Sequence, residues 1–94
     1  MVLPIPRLVE VGDWVHYILP DGEHRPALVV AKWSEDCVNL TVFTDWHNDT
    51  LMEENVAAFG ADQIDSGLVW ATSVLQDEEQ MNPSTWHWPE NNNV

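Results

Sequence analysis

The sequence predicts a small all-β domain in which five short strands close, or half-close, into an SH3-like barrel. Three observations predict it. Runs of β-branched and aromatic residues, each of strand length, recur along the chain. Glycine, proline and aspartate punctuate them with turn chemistry. A chain of only 94 residues would leave a large share of its strands as open edges, and closure removes edges that otherwise invite aggregation. The alternative is an antiparallel sheet of four or five strands packed against one short helix.

Each element follows from local chemistry. Residues 1–12 read as an extended lead-in, because Pro4 and Pro6 forbid helix and Gly12-Asp13 marks a turn. The first strand is Trp14 to Leu19, with Val15, Tyr17 and Leu19 on one face and Trp14, His16 and Ile18 on the other. Pro20-Asp21-Gly22 ends it. The second strand is Pro26 to Trp33, an almost continuous apolar run that predicts burial on both faces. Ser34-Glu35-Asp36 makes a hairpin to the third strand, Cys37 to Thr44. There Val38, Leu40 and Val42 face inward, while Asn39 and Thr41 face outward. Residues 45–67 form a long acidic loop with room for one short helix, where Met52, Val56 and Phe59 fall at helical spacing. The fourth strand is Leu68 to Leu75, and a short fifth runs from Thr85 to Pro89. Residues 1–90 thus form a single domain, and 91–94 an expected disordered tail.

Composition narrows the function. Three Lys+Arg against 16 Asp+Glu give a net charge of −13. Direct nucleic-acid binding is not expected, since it depends on cations neutralising phosphates. Anionic membrane surfaces are disfavoured for the same reason, and no apolar run approaches the ~20 residues that would cross a bilayer. The charge suits solubility, attraction to basic protein surfaces, or mimicry of nucleic acid. The lone Cys37 allows no internal disulfide, and the N-terminus lacks a signal-peptide pattern. The sequons at Asn39 and Asn48 therefore read as chance, and the expected location is a cytoplasm, that of a cell or of an infected host.

Several residues could carry chemistry. Arg25 could anchor a carboxylate or phosphate, or form a structural ion pair that fixes the Asp21–Arg25 loop. Asp45, His47 and Asp49 alternate, but one histidine without a cysteine or histidine cluster is poor for zinc, and a solvated turn is preferred. No metal or other cofactor is expected. His16, His24, His47 and His87 are possible bases, yet no G-x-S-x-G, P-loop or H-E-x-x-H pattern accompanies them, so no catalytic residue is assigned and the chain is not expected to be an enzyme. Trp86 and Trp88 share a strand face, either as an aromatic platform or as a lid on the barrel that pins the C-terminus. Trp14, Trp33 and Trp70 lie within strands and are expected in the core. A binding surface would be lined by Arg25, Trp46, His47, Trp86 and Trp88.

Three stretches resemble a family of short, functionally unassigned proteins of tailed bacteriophages and prophages. They are His16 to Ala27 (with His24-Arg25-Pro26-Ala27), Val38 to Phe43, and Leu68 to Val74 followed by Thr85-Trp86-His87-Trp88-Pro89-Glu90. The loop between Asp45 and Gly67 is longer than that pattern, and Ser84 stands where glycine is expected. The resemblance implies a phage origin and supplies no catalytic residues. Together these readings predict a non-enzymatic accessory module that binds a host protein in the host cytoplasm through an acidic, Trp-rich surface. A virion component, capsid-decorating or head–tail, is the alternative, and sequestration of a small nucleotide a further one. Self-association is compatible with any of them.

Overall fold

A computed structural model describes residues 7–89, so the first half of the lead-in and all of the tail expected from the sequence lie outside the described residues. Five strands close into a barrel in the order β1 (Trp14–Ile18), β2 (His24–Lys32), β3 (Cys37–Phe43), β4 (Leu68–Gln76), β5 (Thr85–His87). Neighbours run antiparallel except β4 and β5, which are parallel. One parallel junction is unavoidable, because an odd number of strands cannot alternate direction all the way round a ring. The junction needs no long crossover. Leu75 at the end of β4 pairs with Thr85 at the start of β5, so the connecting chain only has to loop out and return. Asp77 ties that loop together: its carboxylate accepts from the backbone N–H groups of Glu79, Met81 and Asn82 and from Asn82 Nδ2.

The first turn forms as its chemistry dictates. Gly22, at φ 96°, donates to the Leu19 carbonyl at 2.8 Å, and Leu19 donates to Glu23. β2 then starts earlier than the sequence suggests, at His24. Pro26 fits there because pairing with β3 begins only at Ala27, so its missing N–H costs nothing on that side.

The core is built from the faces that alternation predicts: Val15, Tyr17 and Leu19 from the first hairpin, Val38, Leu40 and Val42 from β3, joined by Ala27, Val29, Val69, Ala71 and Val74. Two expectations fail, and Asn39 adds a burial that alternation does not foresee. Trp14, Trp33 and Trp70 are 54%, 66% and 58% exposed, not core. Trp14 and Trp70 stand in registers in which their neighbours Val15 and Val69 point inward, Trp33 lies just past the end of β2, and the interior of a five-stranded barrel is too narrow for several indoles. β2 is not buried on both faces; Val30 is exposed and Leu28 only half-buried. Asn39 is buried although it lies on the outer side. It occupies a β3–β4 bulge where its Oδ1 accepts from Ser73 N–H, Thr72 Oγ1 and Trp33 Nε1 at 2.9–3.0 Å. The side chain replaces ladder bonds that the bulge breaks.

Residues 45–67 are not a plain loop. They form α1 (Trp46–Asp49), α2 (Glu53–Phe59) and α3 (Ala61–Asp65). The helix expected near Met52 to Phe59 is α2, and Val56 and Phe59 pack on the core beside buried Ile64 of α3. Phe59 meets Tyr17 edge-on at 6.3 Å, and Thr44 Oγ1 donates to the Ile64 carbonyl. Among the described residues no helix is long and apolar enough to cross a membrane.

Candidate functional site

Strand register lays apolar side chains across the outer face of four strands. Trp14 pairs with Leu28, Leu28 with Thr41, and Thr41 with Trp70. One rung away Phe43 pairs with Leu68, and the Trp14 and Phe43 rings lie 5.5 Å apart. Trp14, Phe43, Leu68 and Trp70 are all exposed. The cluster is a contiguous exposed apolar patch, not a set of isolated surface hydrophobes. The sequence shows the residues but not the row, because only the register of four strands assembles it.

The expected surface residues fall in different environments. Arg25 is engaged within the domain. Its Nη2 and Nε donate to the two Asp49 carboxylate oxygens at 2.6 and 2.9 Å, and Asp49 is 2% exposed. The Asp49 hydrogen bond holds the Arg25 guanidinium above its ordinary pKa, against a lowering by partial burial. Asp49 also accepts the Asp45 backbone N–H; Asp45 sits at the N-cap of α1 with His47 and Asp49 inside the helix, so the three do not share a strand face. Asn55, which sequence reading missed, is fully buried; it accepts from Asp21 N–H and donates to the Asp49 carbonyl. Arg25, Asp49 and Asn55 therefore fasten the helical segment to the β1–β2 turn. The depression beside them is lined by Asp21, Glu23 and Asp49 together with the already paired Arg25, a poor home for a phosphate.

Trp86 is fully buried in the core, and its Nε1 donates to the Asp36 carbonyl at 2.9 Å. It cannot line a surface; the lid reading fits its placement. Trp88 packs edge-on against it at 5.4 Å and carries the Arg7 guanidinium 4.4 Å over its ring. Trp46 and His47 are exposed neighbours on α1. All three Lys and Arg residues are paired: Arg7 with Asp13, Arg25 with Asp49, Lys32 with Glu10. The charge offered outward is negative.

A second cluster joins three of the four histidines. His16 on β1 pairs directly with His87 on β5, and their rings meet at 5.6 Å. His24 on β2 packs against His87 at 4.8 Å.

The fold and outer face define a small acidic β-barrel with an exposed aromatic row. Compared with known proteins, the chain matches no family model, and neither the curated proteins nor the solved structures contain a significant match to it.

Proposed function

We propose that this chain is a non-enzymatic accessory binding module of bacteriophage origin, built on an SH3-like barrel, that docks on a basic protein surface of the host cytoplasm. The observation that supports it is the exposed row Trp14, Phe43, Leu68 and Trp70, with half-buried Leu28 between them, on the outer sheet face. An aromatic centre inside a body of net charge −13 matches a partner with an apolar patch ringed by Lys and Arg. Trp46, His47 and Trp88 remain candidates for the rim, whereas Arg25 and Trp86 serve the fold. Phage origin rests on the sequence motifs given above.

The test compares wild type with a Trp14→Ser/Trp70→Ser variant in pull-downs from phage-infected cells, followed by binding measurements on the purified partner. The expected result is a basic host protein, held by wild type, lost in the variant, and released as salt rises. Capsid or tail proteins in place of it would establish the virion reading and overturn this one. Equal capture by both forms would clear the aromatic row of any role.

A further inference from the structure

His16, His24 and His87 come from three different strands and converge on one spot outside the barrel core. Pairing sets this up. His16 faces His87 across the β1–β5 ladder. His16 also faces Pro26 across β1–β2, and His24, two residues from Pro26, shares that face. One ring nitrogen from each lies within 4.8 Å of the other two. His87 is fully buried although it stands on the outer side, opposite in direction to core residue Trp86.

We propose that these three imidazoles form a binding site for a divalent transition-metal ion of the zinc class. Imidazole is a preferred ligand for zinc, nickel and copper. Three histidines leave a fourth position for water or an incoming ligand, as open zinc sites do. Zn–N bonds of about 2.0–2.1 Å put tetrahedral ligand nitrogens roughly 3.3–3.4 Å apart. Closing from 4.8 Å to that spacing asks for shifts of about an ångström at the ring nitrogens, the scale of a side-chain rotation. The ligands sit on ladder-bonded strands, so the ordering cost of assembly is already met by the fold. A dication is also drawn to a chain of net charge −13. Once bound, the ion ties β1 and β2 to β5 and reinforces the barrel where its strand is shortest. The site is independent of the aromatic row and of the docking reading.

The decisive experiment uses the full chain without an affinity tag, stripped with chelator and titrated with Zn²⁺. Calorimetry and thermal melting give stoichiometry and stabilisation; imidazole ¹⁵N NMR identifies the ligands; Co²⁺ substitution reports geometry by its visible bands. One-to-one binding with a raised melting temperature is expected, with resonances of three histidines shifting and those of His47 unmoved. His24→Ala, at the open start of β2, should weaken binding by at least the roughly 10–100-fold that even outer-sphere changes cost, and His47→Ala should leave it intact. Should His24→Ala fail to fold, the wild-type NMR and Co²⁺ spectra still decide. Zinc that shifts no cluster histidine, or that binds His24→Ala and His16→Ala as tightly as wild type, would overturn the site and assign the ion to surface carboxylates.

Discussion

Removing the Arg25 guanidinium isolates the internal role of that residue. In Arg25→Ala the Asp49 carboxylate, 2% exposed, loses two charge-assisted bonds of 2.6 and 2.9 Å and keeps the Asp45 N–H. Breaking a buried pair from one side costs about 3–5 kcal/mol. The pair lies close to solvent on the arginine side, so the low end applies, about 3 kcal/mol. For a domain of this size that lowers the melting temperature by roughly 12–24 °C, at about 4–8 °C per kcal/mol. Denaturant melts of Arg25→Ala, Asp49→Ala and the double variant, followed by tryptophan fluorescence, close a cycle. The coupling should be about 2 kcal/mol or more, because each single change strands the other partner. A coupling below about 0.5 kcal/mol, the range of exposed pairs, would refute the structural role and return Arg25 to the list of available anchors.

Three further outcomes follow from the packing. Trp86→Ala should cost about 3–5 kcal/mol as a core deletion, and Trp88→Ala, at a site half-buried against that core, about 1–2 kcal/mol from partial packing and the Arg7 contact; equal costs would contradict the full burial of Trp86 alone. Ser84 has φ 64° and its side chain bonds Tyr17. Ser84→Ala and Ser84→Gly both delete the hydroxyl, so Gly should be the more stable by about 1 kcal/mol of relieved left-handed strain; equal stabilities would refute that strain. Partial desolvation tends to raise the Asp77 carboxyl, but bonds from Asn82, Met81 and Glu79 outweigh it and lower its pKa. Its contribution is therefore present above the ordinary aspartate value near ~3.9 and lost as pH falls through the lowered folded value. The stability gap between wild type and Asp77→Asn should shrink in acid and stay flat above pH ~5; a gap that widens in acid would contradict the lowered value.

The β2–β3 hairpin and the inward faces of β1 and β3 were legible, because a period of two and a turn are local signals. The indoles were not. Trp14 and Trp70 looked like core because they stand among apolar residues, yet register with β2 and β3 turns them outward. Trp86 was readable as platform or lid, and nothing near it in sequence announces that β5 inserts between β1 and β4. Arg25 was readable as either anchor or ion pair, and the choice depended on Asp49, which the helical segment delivers from 24 residues away. His16 and His24 flank a visible turn, so their approach could have been foreseen; His87 joins them only through barrel closure.

That closure has a temporal side. The β1–β2 and β2–β3 hairpins join neighbours in sequence through short loops and can pair soon after they are made, while β4 joins β3 across the helical segment of residues 45–67. The last junction links His16 to His87 across almost the whole chain, and such distant pairing forms slowly. During synthesis β1 therefore waits with an open edge, and Tyr17 without its rung partner Trp86, until β5 has left the ribosome. Chains cut a few residues short of that strand would remain unsealed sheets, and the cell would meet them as aggregation-prone products.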